Sequence, residues 1–278
     1  VPGISGTVPG IGNLGSIENS GVELALSWRD RIGDWNYNIG MNLATIKNKV
    51  LSLVQEGYSI IAGDKQQSYT MAGYPIGYFY GYKVEGVYQT QEEIEHSPKN
   101  TLATVTPGDL KFRDVNGDGE INTEDLYRYH SPAPDYILGF STSLRWKKWT
   151  LSTSLRANIG NYVYNAMAMN TGAWETVSYN SYQLNNLSTS YLKTGFQSRQ
   201  YLSDYYVENA SFLKMDNLSL NYNFGEICKG CSLNVSAMVQ NVFCITKYSG
   251  VDPEVPNGVD NSFYPRPRTF SLNVGFNF

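Results

Sequence analysis

Apolar and polar residues alternate one for one along most of this chain. In the final stretch, "RTFSLNVGFNF", Phe270, Leu272, Val274, Phe276 and Phe278 fall on one face, and Ser271, Asn273, Gly275 and Asn277 fall on the other. In "DWNYNIGMNLA", Trp35, Tyr37, Ile39, Met41 and Leu43 alternate in the same way with Asn36, Asn38, Gly40 and Asn42. The pattern recurs in "YILGFSTSLRW", "WTLSTSLRANI", "NLSLNYNF" and "CSLNVSAMVQ". Successive side chains of a strand point to opposite faces, so a period of two repeated this often reads as an all-β chain. Nine strands are expected, at about 21–29, 35–46, 66–73, 77–88, 136–146, 149–158, 211–224, 231–242 and 267–278.

Alternation alone fits a soluble sandwich with an apolar interior, and equally a membrane barrel with its apolar face on lipid. The polar face favours the barrel, because it is built mostly from Ser, Thr, Asn and Gly where a soluble sheet would expose Lys and Glu. Trp28, Trp35, Trp146 and Trp149 sit at strand ends, where an interfacial aromatic girdle would place them. The connections "DRIGD", "YPI", "KK" and "GEICKG" are short, those around 47–65, 89–135, 159–210 and 243–266 are long, and the two classes alternate. A barrel with short periplasmic turns and long outer loops has this parity, with the C-terminus on the periplasmic side. Nine is odd whereas single-chain bacterial barrels have even strand numbers, so the expectation is the C-terminal part of a larger antiparallel transmembrane β-barrel.

Composition narrows the partners. A formal charge of -4 without a basic stripe argues against nucleic acid, and 22 Tyr exceed what a soluble domain of this size needs. No run of 18 apolar residues occurs, which excludes a membrane helix from the sequence but not a strand barrel. "VPGISGTVPG" has neither the charged nor the apolar region of a secretory signal, so either one was removed or the chain begins partway through a longer one. Cys228, Cys231 and Cys244 are too few for a disulfide framework. The "CKGC" pair leaves open idle thiols, a local disulfide or a redox dithiol, although no βαβ pattern surrounds it.

"RDVNGDGEINTED" carries the one sharp motif. Counted from Asp114, an EF-hand template places Asp114, Asn116, Asp118, Glu120 (through its backbone), Asn122 and Asp125 at the ligand positions, with Gly119 at the sharp turn. The last position holds Asp where Glu is usual, as in dockerin-like loops, and the shorter arm makes bidentate coordination harder. Calcium is the expected cofactor, as a brace on the long 89–135 connection and not as a signal, since no paired loop exists. The competing reading is an Asn/Asp/Gly-rich turn held by its own Asx hydrogen bonds.

Other candidates carry weaker chemistry. Tyr162, Trp174, Tyr179 and Tyr182, in the 159–210 connection, would stack on sugar rings or peptide side chains, or else pack on the barrel rim or a partner. Tyr78, Tyr80 and Tyr82 in "GYFYGYK" share a face that would line a conduit or meet lipid near the interface. Arg145 and Arg156 lie on polar faces and would point into the lumen, toward carboxylates of a plug or along a substrate path. His96 and His130 are the only histidines, with no nucleophile motif near them, so no enzyme is expected.

Several phrases resemble the SusC/RagA family of TonB-dependent transporters of the Bacteroidetes outer membrane. They are "NSGVELALSW", "GYFYGYKVEGVYQTQEEI", "PGDLKFRDVNGDGEINTED", "YVENASFLKMDNLSLNYNF", "KYSGVDPEVPNG" and "YPRPRTFSLNVGFNF", in the family's order and spanning nearly the whole chain. The resemblance implies a barrel of about 22 strands with a plugged lumen, the terminal aromatic Phe278 serving as its assembly signal. It implies residues 1–278 as the C-terminal barrel segment, with a plug domain, a TonB box and the remaining strands preceding Val1. It further implies outer-membrane lipid around the wall, energy from TonB acting through those other segments, and a SusD-like surface lipoprotein as a lid. Import of oligosaccharides is the first expectation and RagA-like import of peptides the second. Two rivals of other classes remain: a soluble calcium-stabilised β-sandwich that binds carbohydrate, and an adhesin or passive porin.

Overall fold

The computed structural model describes residue 13 and residues 15–62, 66–179, 187–261 and 264–278, except for the side chains of Thr176, Ser178 and Tyr179. Seven long strands form one antiparallel sheet in chain order: β1 (Gly15–Ile32), β2 (Trp35–Leu53), β3 (Tyr136–Trp146), β4 (Trp149–Ile159), β5 (Phe212–Cys228), β6 (Cys231–Thr246) and β7 (Thr269–Asn277). Two-residue turns join β1 to β2, β3 to β4 and β5 to β6. Gly33, Lys147 and Gly230 take positive φ values of 59°, 53° and 80° in these turns, the left-handed geometry that two-residue hairpins need. Cys228 and Cys231 face each other across the last of them as free thiols.

Register turns the alternation into continuous rows. Leu26, Met41, Phe140, Leu155, Met215 and Phe243 are successive cross-strand partners from β1 to β6. At the tight-turn end Ile32, Trp35, Trp146, Trp149, Tyr222, Val235 and Val274 make a second row. Within it Trp35 stacks on Trp146 at 5.9 Å and Trp149 meets Tyr222 at 4.5 Å. The other face carries the row Asn38, Ser143, Ser152, Ser219, Met238 and Ser271. The apolar face is open to its surroundings, with Leu26 57%, Met41 53% and Phe270 74% exposed. A β-sandwich would bury that face against a second sheet, so the sandwich reading is overturned. What remains is an arc of a large barrel whose outer strands, β1 and β7, each have a neighbour on one side only among the described residues.

The expected strands at 66–73 and 77–88 do not belong to this wall. Those residues form the short strands Ser68–Met71, Tyr78–Gly81 and Val84–Val87, too short to cross a bilayer. Two of the three lie in a separate four-stranded sheet and the third pairs with Leu110–Phe112. The reason is that "GYFYGYK" is apolar on both faces: Tyr78 and Tyr82 are buried, and so is Phe79 between them. Tyr78 and Tyr82 therefore neither meet lipid nor line an open conduit, and the half-buried Tyr80 packs on Tyr69 at 4.5 Å. Removing one hairpin from the count leaves the parity intact, because the long connections 54–135, 160–211 and 247–268 still leave one end of the sheet and the tight turns the other.

The long connections fold together into a cap with its own core. The first contributes Phe79, Tyr82, Leu110, Phe112 and Ile121, and the second contributes Tyr164, Met169, Phe196 and Tyr206. The third joins through Val259 and through Tyr248, which packs with Val163 and Ala210. The first connection is also pinned to β2, where Val50 N donates to Tyr74 O and Gly73 N donates to Val50 O.

Candidate functional site in the cap

The acidic loop is ordered by its own side chains. Asp114 accepts from Gly117 N at 2.6 Å through Oδ1 and from Gly119 N at 2.8 Å through Oδ2. Gly117 and Gly119 both have positive φ, 77° and 86°, which aims their N–H groups inward at that carboxylate. Asp118 accepts from Glu120 N at 2.8 Å and from Asn116 Nδ2 at 2.9 Å, and these bonds hold its carboxyl below the usual range. Asp125 is fully buried and ties the two ends of the loop, accepting from Val115 N at 2.7 Å and Asn122 N at 2.9 Å. Asn122 Oδ1 accepts from Glu124 N, and the Glu120 side chain reaches Lys99 at 3.7 Å.

Two strands' worth of contact fix this loop to the cap. Lys99–Asn100 pairs in parallel with Glu120–Ile121, and Ile121 is fully buried in the cap core. The Asp125 charge lies close enough to Tyr82 that, after burial, it helps push the phenol up to about 12. All the donors of the template are oxygens, the set a hard cation such as calcium takes. As the side chains stand, no three Asp, Glu, His or Cys groups among the described residues converge on a metal position. The Asx-turn reading describes the hydrogen bonds seen.

A charged network joins cap to wall. On the polar face Arg156 of β4 pairs with Lys214 of β5 in register, both reaching the 247–268 connection. Arg156 donates two hydrogen bonds to Glu254, Nη2 to Oε2 at 2.8 Å and Nη1 to Oε1, and Nε donates to Asp216 at 2.7 Å. Lys214, only 3% exposed, contacts Asp252 at 2.6 Å and Glu254 at 3.2 Å. Arg266 closes the set on Asp252 and Glu254 at 3.0 and 2.8 Å. Burial alone would raise the Glu254 carboxyl, but the Arg156 hydrogen bonds and the Lys214 charge outweigh it and bring it to about 2. The guanidinium of Arg156 is thus satisfied within this chain, where a plug carboxylate was expected, while Arg145 donates to the Lys147 carbonyl at 3.4 Å.

The aromatic candidates separate. Tyr162 lies in the short strand Tyr162–Tyr164 and stacks on His130 at 3.7 Å with rings 5° apart. Trp174 begins a short helix and is 58% exposed, its N–H donating to Phe196 O. The Tyr179 side chain and all of Tyr182 lie outside the described residues. Sequence reasoning missed Lys214, Asp252, Glu254 and Arg266, whose pairing spans up to 98 residues and leaves no local pattern.

Comparison with known proteins covers the chain end to end. No family model matches. The TonB-dependent receptor SusC of Bacteroides thetaiotaomicron is 33% identical over 282 residues, covering 96% of this chain and 27% of SusC. A TonB-dependent receptor of Formosa agariphila is 28% identical over 309 residues, covering all of this chain and 30% of that receptor. Among solved structures, that of the RagAB peptide transporter superposes with a TM-score of 0.75 at 22% identity, over 100% of this chain and 31% of the other. The chain therefore spans about a third or less of the relatives it matches.

Proposed function

Because the chain belongs to the SusC/RagA family of TonB-dependent receptors, we propose that it supplies an arc of wall and much of the outer cap to an importer of the outer membrane. The observation that carries this reading is the exposed apolar face, laid in unbroken rows across the sheet with a Trp/Tyr row at the tight-turn end. Lipid is the surroundings in which such a face is stable, and the aromatic row suits a membrane interface. The tight turns and the C-terminus then lie in the periplasm and the cap outside, where a SusD-like lipoprotein would close over it. TonB would act through segments other than these residues. The substrate proposed is an oligosaccharide, supported by the exposed indole of Trp174 on the cap. RagA-like peptide import is the second reading, favoured by the shared fold with the RagAB peptide transporter.

Calcium is part of this proposal. Asp114, Asn116, Asp118, the Glu120 backbone, Asn122 and Asp125 would hold it, and its double charge would offset most of the repulsion among the three Asp carboxylates of that set. The ion would do no chemistry; these residues position the loop, whose ends Asp125 ties together and whose Ile121 is buried in the cap core. The test of the whole reading uses the complete native receptor. It should require detergent for extraction, and mass spectrometry of what copurifies should find glycan. Solubility in plain buffer would overturn the membrane reading, and a peptide cargo would select the second substrate class.

A further inference from the structure

Lys47 and Lys49 interrupt the apolar face of the wall near the cap end of β2. The even positions there look toward the cap, because Asn48 Oδ1 accepts from Ile76 N at 2.8 Å and Val50 is fully buried. Lys47 and Lys49 therefore point outward, on the face of Trp35, Met41 and Leu43, with no register shift between Trp35 and Lys47. Both are exposed, and neither has an ion-pair partner among the described residues. Lys47 lies opposite Ser20 of β1, whereas Lys49 lies opposite Glu18. Lys47 follows Trp35 of the aromatic row by 12 positions of one strand. That is about 40 Å along the strand, or about 30 Å of height at a tilt of about 40°. The hydrocarbon core of a bilayer has this thickness, so the lysines stand at the level of the outer-leaflet phosphates.

Below the lysines an apolar groove of about 330 Å³ crosses the same face. One wall is the row from Leu26 through Met41 and Phe140 to Leu155, and the other is the next row up, Leu24, Leu43, Leu138, Ala157 and Leu213. Ala157 is short where its neighbours in that row are leucines, which keeps the groove open. We propose that this face holds one anionic, phosphate-bearing lipid of the outer leaflet, with an acyl chain in the groove and its phosphate at Lys47. The site rests on the membrane reading above. An acyl chain matches an apolar groove at this depth, and a phosphate supplies the anion that the ammonium groups lack within the chain. A zwitterionic lipid brings its own ammonium and gains less from them. Lys47 contributes more than Lys49, whose charge Glu18 offsets.

The test titrates the complete receptor, stripped of lipid in detergent, with bis-phosphorylated lipid A and with zwitterionic phosphatidylethanolamine, and reads bound lipid by native mass spectrometry. Lipid A should bind the more tightly. Lys47→Gln should weaken it about fivefold and Lys49→Gln by less. Ala157→Trp fills the groove with a ring that a lipid-facing strand tolerates, and should weaken both lipids while the barrel stays heat-resistant. If the native receptor binds lipid A no better than phosphatidylethanolamine, or if Lys47→Gln or Ala157→Trp binds lipid A as the native receptor does, the site is wrong. The need for detergent would then still support the membrane reading. A dimer that Ala157→Trp splits would give the groove to a second copy of the chain and overturn the lipid. A receptor soluble in plain buffer would overturn the site and the membrane reading together.

Discussion

The wall and the cap are made from the same alternating, tyrosine-rich sequence, yet they dispose of their apolar side chains in opposite ways. In the wall Leu26, Met41 and Phe270 are more than half exposed, and the sheet is satisfied mainly by its own ladders. In the cap Phe79, Ile121, Tyr164 and Tyr206 are at most 3% exposed and pack on one another. The difference shows two solvents at work on one chain: the cap folds around a core as a water-soluble domain does, and the wall depends on an apolar medium.

Phe79→Ala should cost about 3–5 kcal/mol of cap stability, read as faster hydrogen exchange across 78–128 with protection of β3 and β4 unchanged. On the wall, Leu155→Arg on the apolar face should cost about 2–4 kcal/mol near the bilayer midplane and lower the yield of heat-resistant barrel. Its polar-face neighbour Ser152→Arg should be tolerated. Equal effects of the two arginines would contradict the assignment of faces.

The joint between the regions gives the next effect. Glu254→Gln removes the anion shared by Arg156, Lys214 and Arg266, leaving the buried Lys214 ammonium with Asp252 alone. Proteolysis within 247–268 should rise severalfold while the wall stays intact. The pH dependence has a fixed sign. The Glu254 carboxyl sits at about 2 in the folded protein against an ordinary 4.5, so its contribution is fully present above about pH 4.5 and is lost as the pH falls toward 2. The same proteolysis, run from pH 7 down to pH 2, should show the connection loosening only in that window. The smallest effect belongs to the acidic loop: chelation of calcium, or Asp118→Ala, should raise amide exchange over 113–125 and leave the wall protected. Melting of the wall on chelation would contradict the role given to calcium as a local brace.

How much of this was legible in the sequence follows from the same contrast. All seven wall strands were visible, because one face of each meets a single medium and the alternation stays clean, as in "RTFSLNVGFNF". The two segments wrongly assigned to the wall share that alternation, but Phe79 is as buried as Tyr78 and Tyr82, and periodicity does not distinguish lipid from a cap core. The Asx hydrogen bonds inside the acidic loop were legible because they run between residues at most ten positions apart. The Arg156–Glu254 joint was not, since its two residues lie 98 positions apart in sequence and meet only through the folded connections.

The central claim is that odd and even positions of the wall strands face different media. Spin labels placed singly at positions 150 to 155 of β4 in the complete receptor, reconstituted in lipid, test it through collision with oxygen and with a water-soluble nickel chelate. The account predicts that labels at Leu151, Thr153 and Leu155 favour oxygen, that those at Thr150, Ser152 and Ser154 favour the chelate, and that the two profiles oscillate out of phase with a period of two. Access of the chelate to both sets alike, or an oscillation of the opposite phase, would contradict it.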